Sequence, residues 1–103
     1  WNYPIQIAAR SLAPAFATGN AAVIKPAEDT PLTALRLAAI CEEAGMPRGI
    51  VNVVTGYGNE AGAALAAHPD IDHITFTGSV ATGTAVMRAA AATITPVTLE
   101  LGG

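Results

Sequence analysis

Four short strand-like runs, at residues 21–24, 50–55, 73–78 and 96–101, alternate with stretches of helical periodicity, and this alternation constrains the chain more than any other feature. Strands separated by single helices are the mark of parallel β-α-β units, because a parallel neighbour is reached only through a long crossover. The expected fold is α/β: a Rossmann-like open parallel sheet of about four strands with flanking helices. No repeat, linker or internal boundary interrupts residues 1–103.

The helices are punctuated as this reading requires. Residues 4–17 place Ile5, Ala8, Ala9, Leu12 and Phe16 at helical spacing, and Gly19-Asn20 stops the run. Thr30 as N-cap and Pro31 at the first helical position predict a second helix that ends at Gly45, with Ala34, Leu37, Ala38, Cys41 and Ala44 inward and Arg36 and Glu43 outward. Gly56 and Gly58 turn the second strand into a helix over 60–67. Ser79 caps a fourth that runs towards Ala91.

Ligands of such sheets collect at the carboxyl ends of the strands, and Lys25, Gly56, Gly78 and Glu100 all fall there. At the third strand, Gly78-Ser79 opens a helix, and a helix start offers unsatisfied N–H groups and the positive end of the peptide dipole to an anion. The plainer reading is a turn and a cap alone. A phosphate-binding P-loop is excluded, since Gly83 is followed by Thr84 and Ala85 instead of lysine and a hydroxyl residue, and the three-glycine dinucleotide fingerprint is also missing. Lys25 and Glu28 share one loop, where a cation and a carboxylate suit the vicinal hydroxyls of a ribose; a solvated pair is the plainer alternative. Glu100 lies between two leucines, so burial is expected to raise its pKa towards the range of a general base, whereas an edge-strand carboxylate would face water.

Composition removes other classes. Only 13% of residues are charged and 51% are hydrophobic, against about a quarter charged in ordinary domains, so the chain reads as a core cut from a larger protein. A net charge of −3 with five scattered basic residues offers no surface to nucleic acid. No apolar run approaches the ~18 residues of a membrane span. One cysteine, Cys41, excludes an internal disulfide and fits a reducing, by default cytoplasmic, compartment; its place in an apolar helical stripe makes it a core residue. His68 and His73 have no partner at metal-ligand spacing, and no metal site is expected.

Six blocks in order, Trp1-Asn-Tyr-Pro4, Gly19-Asn20, Lys25-Pro-Ala-Glu28, Gly49-Ile-Val-Asn-Val-Val-Thr-Gly56, Phe76-Thr-Gly-Ser79 and Leu99-Glu-Leu-Gly-Gly103, together resemble the aldehyde dehydrogenase superfamily over essentially the whole chain. The resemblance implies part of a dinucleotide-binding domain and NAD-dependent oxidation of an aldehyde to a carboxylic acid through a thiohemiacetal and a thioester. It gives Asn2 the role of oxyanion donor, Lys25 and Glu28 the adenosine ribose, and Gly78, Ser79 and the turn through Gly83 the pyrophosphate. Glu100 becomes the base that activates water, and Trp1 a backbone contact near the nicotinamide. A carboxylate at Glu28 favours NAD over NADP, because it repels a 2′-phosphate. The resemblance further implies a homo-oligomeric parent and a nucleophilic cysteine a few dozen residues beyond Gly103, a position Cys41 does not match. Two alternatives stay open: a catalytically silent relative that keeps the fold, and a member that passes the acyl group to coenzyme A, against which Glu100 argues.

Overall fold

The computed structural model describes residues 1–102. Its contacts cluster in two units, Trp1–Gly58 and Asn59–Gly103, and each is built on one β-α-β crossover.

In the first unit, α1 (Pro4–Ala17) leads into β1 (Ala22–Ile24), α2 (Leu32–Glu43) and β2 (Val51–Val53). β1 and β2 are parallel, with Ala22 opposite Val51 and Ile24 opposite Val53. Both helices end on a glycine. Gly19 and Gly45 have φ of +82° and +83°, and the bonds Asn20 N–H to Ala15 O and Met46 N–H to Cys41 O close the two Schellman motifs that such a residue permits. Of the stripe expected on α2, Ala34 is buried and Leu37, Ala38 and Cys41 are half-buried, whereas Ala44, at the C-cap where the helix has already ended, is exposed; Arg36 reaches along the outer face to Glu43 at 2.6 Å. The stripe of α1 is rotated from the expected one. Ile5 and Ala9 are exposed, while Ile7, Ala8, Ser11, Leu12, Ala15 and Phe16 turn inward.

Thr30 does not cap α2. Pro31 already has helical angles, Thr30 N–H closes a separate turn on Ala27 O, and the Thr30 hydroxyl is buried without a hydrogen-bond partner.

In the second unit, a π-helical turn (Gly58–Gly62) passes into the short α3 (Ala63–Ala66), so the predicted helix over 60–67 opens wider than an α-helix. β3 (Ile74–Gly78), α4 (Val80–Ala91) and β4 (Val97–Leu101) follow. β3 and β4 are parallel in the register Ile74 to Val97 through Gly78 to Leu101. The parallel α/β arrangement expected from sequence is present, but as two two-stranded ladders, β1–β2 and β3–β4, in place of one sheet of about four strands. His73 bridges the start of the second ladder, its Nε2 lying 3.0 Å from Thr98 Oγ1, and His68 Nδ1 accepts from Asp70 N–H.

The cores are thin. The buried apolar residues are Leu12 and Ala34 in the first unit and Ala66 and Ala90 in the second, and no large side chain is fully buried among the described residues.

Candidate functional site

The two ladders each end in a loop carrying predicted site residues. In the first unit, Val54 N–H donates to Ile24 O, so the chains leaving β1 and β2 emerge side by side. Lys25 is the next residue on one and Gly56 lies two beyond Val54 on the other. The Lys25 ammonium donates to Gly56 O at 3.0 Å and to Glu28 Oε2 at 3.2 Å. Its side chain is 15% exposed, against 46% for that of Glu28. The Glu28 carboxyl is held below the ordinary carboxylate range, first by its own backbone N–H, then by the hydrogen bond and charge of Lys25, which together outweigh the opposing effect of burial; Gly58 N–H adds the smallest contribution. Glu28 is therefore an anion throughout the neutral range.

Beside this pair lies an open pocket of about 200 Å³, walled by Pro26, Ala27, Glu28 and Pro31 on one side and by Thr55, Gly56 and Tyr57 on the other. Whole-ligand pockets run to ~300–1,000 Å³, so this one has room for a sugar more than for a dinucleotide. Rigid proline walls with a carboxylate acceptor suit a polyhydroxylated ring, and the lysine bonded to that carboxylate stands next to the lining.

In the second unit, Ser79 stands at the N-cap of α4 in extended conformation, and its Oγ accepts from Thr82 N–H at 3.2 Å and lies 2.9 Å from Thr82 Oγ1. Gly83 N–H goes to Ser79 O. The first-turn donors of Val80 and Ala81 are those a helix start presents to an anion. The expected capping geometry is present in full.

The two glycines here do different work from that expected of a turn. A Cβ on Gly78 would lie 2.6 Å from Phe76 Cζ, so the ring of Phe76 folds over Gly78 on the same face of β3. Gly83 is not in the turn at all. It is buried inside α4, where a Cβ would meet Leu101 Cδ2 at 2.7 Å, and its lack of a side chain lets α4 approach β4.

Glu100 pairs in register with Thr77, one step before Gly78 and Leu101. The pleat half-buries Val97 and Leu99 and leaves Thr98 and Glu100 exposed, so the burial expected for Glu100 is not found in this chain. Trp1 and Asn2 precede α1 and are exposed. Thus Lys25 and Glu28 are brought together in one unit, and Gly78, Ser79 and Glu100 share one end of the ladder in the other. Gly103, the last residue of the Leu99-to-Gly103 block, lies outside the described residues. Cys41 is half-buried on α2, and no cluster of three metal-ligating side chains occurs among the described residues.

Gly56 falls at the strand-end rim by its position in the sequence, but its carbonyl and the Gly58 N–H, as partners of Lys25 and Glu28, leave no side-chain signature. A glycine pair one residue apart at a strand end was the available hint.

The model of the aldehyde dehydrogenase family matches residues 1–103. The chain belongs to the aldehyde dehydrogenase family. It is 60% identical over its full length to hydroxyisobutyraldehyde dehydrogenase of Mycolicibacterium austroafricanum and 56% identical to the peroxisomal aminoaldehyde dehydrogenase 1 of Pisum sativum. It spans about one fifth of the length of these curated relatives, 20% in each case. Among solved structures, a putative aldehyde dehydrogenase from Burkholderia cenocepacia superposes with a TM-score of 0.98 at 63% identity, and an indole-3-acetaldehyde dehydrogenase in complex with NAD+ with a TM-score of 0.97 at 46%; the chain is wholly covered and makes up 22% and 21% of theirs. The family is one of oxidoreductases, and NAD(P) is its cofactor. Membership does not fix a compartment, as the pea relative's name shows. No helix among the described residues is long and apolar enough to cross a membrane.

Proposed function

We propose that this chain is the cofactor-gripping segment of a longer enzyme that oxidises an aldehyde to a carboxylic acid and prefers NAD to NADP. The observation that carries the reading is the Lys25–Glu28 pair beside the pocket after β1. Lys25 donates and Glu28 accepts, which matches the two hydroxyls of an unmodified ribose. An anion at Glu28 repels a phosphate on the 2′ oxygen. Ser79 and the first turn of α4 suit the pyrophosphate. The nicotinamide, when bound, supplies the hydride acceptor.

The remaining roles belong to this chain's own polar groups. Asn2 carries a side-chain amide that donates to the oxygen on which charge develops when a thiolate adds to an aldehyde, a contribution worth about 3–4 kcal/mol at such sites. The thiol comes from outside residues 1–103. Glu100, exposed on β4, takes a proton from the water that hydrolyses the thioester. Gly83 acts at one remove, by seating α4.

The test is steady-state kinetics of the full-length protein with one aldehyde and each cofactor. A kcat/KM at least about tenfold higher with NAD is expected, and the Glu28→Gln variant narrows that gap, since about 1.4 kcal/mol of discrimination is a factor of ten. Equal efficiencies with the two cofactors in the unmodified protein would remove the specificity assignment.

A further inference from the structure

Two acceptors hold the Lys25 ammonium, and they are not equivalent. The bond to Gly56 O is the shorter, at 3.0 Å, and is partly buried; the bond to Glu28 Oε2, at 3.2 Å, is exposed. An exposed lysine–carboxylate pair contributes little, whereas a charge-assisted bond shielded from water is stronger and costs more to leave unmade. Gly56 has φ of +146°, a conformation glycine reaches readily and other residues do not. The parallel register, with Ile24 opposite Val53, sets the two strand ends abreast and so brings this carbonyl to the lysine across 31 positions of sequence. Gly58, two residues further, adds a weaker backbone N–H interaction with Glu28.

From this the geometry points to the Gly56–Gly58 turn as the positioning element of the ribose grip: the backbone carbonyl of Gly56, more than the carboxylate of Glu28, fixes Lys25, and the aim of that lysine at a ribose hydroxyl is thereby set by the turn after β2. The inference rests on the cofactor reading for its consequence, but not for its geometry. Glu28 is left with acceptor capacity for a hydroxyl because the turn shares the task of holding the ammonium. A ligand hydroxyl meets a lysine already aimed, and little side-chain entropy remains to be lost on binding.

Two measurements on the full-length protein separate the geometry from its use. Lys25 is the only lysine of this chain, and its rate of reductive methylation can be followed by peptide mapping in the cofactor-free protein. In Gly56→Ala the alanine cannot keep the +146° conformation, so Lys25 should be modified about tenfold faster; in Gly45→Ala, which places comparable strain at a helix end, its rate should not change. Glu28→Gln, which leaves the turn intact, should keep most of the protection. Unchanged Lys25 reactivity in Gly56→Ala, or loss of protection in Glu28→Gln, overturns the inference; the second variant decides the matter should the first fail to fold. Calorimetric titration with NAD and NADP then reads the consequence: Gly56→Ala should bind NAD about tenfold more weakly, and Gly45→Ala should bind it unchanged. Unchanged affinity for NAD in Gly56→Ala contradicts the positioning role. Failure of the unmodified protein to bind either cofactor would instead remove the functional reading, while the labelling still decides what holds Lys25.

Discussion

Ile94 is the residue whose backbone conflicts most openly with its side chain. It has φ of +57° and is 88% exposed, and the bonds from Ile94 N–H to Ala91 O and Thr95 N–H to Ala90 O make it the C′ residue of a Schellman motif, a place where glycine is usual. A β-branched residue there costs about 1–2 kcal/mol, and glycine returns about 0.5–1 kcal/mol of that through its greater unfolded freedom. Ile94→Gly should therefore raise stability by roughly 0.5–1 kcal/mol, read as a higher denaturation midpoint of the full-length protein; a lower midpoint would mean that the isobutyl-sized side chain is covered by other parts of the enzyme. At Glu28 the sign runs the other way. Its folded pKa is depressed, so the stabilisation from its hydrogen bonds is present above its unfolded value of 4.5 and is lost only as pH falls through the lower folded value. Cofactor affinity should accordingly stay flat from neutral pH down to about 5; a fall beginning near pH 6 would contradict the ionisation assigned to Glu28. Neither feature is equally legible in sequence. The Lys25–Glu28 pair is visible because both members are charged and close in the chain, but nothing in Thr93-Ile-Thr95 announces a left-handed turn, since the signal for one is glycine or asparagine and the sequence supplies neither.

Among the elements, α4 joins the Ser79 cap, the proposed anion site, to the β3–β4 ladder. Ser79 supplies the cap at one end, and Ser79→Ala should cost about 1 kcal/mol of stability, measured by chemical denaturation. Gly83 supplies the fit against β4. Alanine would gain about 1 kcal/mol of helix propensity at this position but lose it again by pressing on Leu101. Gly83→Ala should therefore be stabilising in a Leu101→Ala background and neutral or worse in the unmodified chain, a coupling that a double-mutant cycle reads directly. Equal effects in the two backgrounds would dismiss the packing explanation. The strand–helix order, the glycine stops at Gly19 and Gly45 and the cap at Ser79 follow from local chemistry and were readable. The Thr30 cap failed because Thr30 is engaged in a turn with Ala27, and the rotated stripe of α1 and the buried place of Gly83 depend on neighbours that periodicity alone does not name.

Across the whole molecule, apolar side chains outnumber the places to bury them. Trp1 and Leu32 are each 76% exposed, and Tyr3, Val80 and Met87 are more than half exposed. Patches of this kind mark surfaces that other protein covers, which agrees with a segment spanning 20% of its curated relatives. Expressed alone, the 103 residues should self-associate in sedimentation velocity; a cooperatively unfolding monomer would contradict this. The central claim is that Glu100 serves hydrolysis of an acyl-enzyme, which separates a hydrolytic aldehyde dehydrogenase both from a silent relative and from one that hands the acyl group to coenzyme A. The most direct measurement is rapid-mixing kinetics of the full-length Glu100→Gln protein with NAD and an aldehyde. The account predicts a burst of NADH close to one per active site, followed by turnover slowed about 10²–10⁴-fold. Unchanged steady-state turnover without a burst would contradict it.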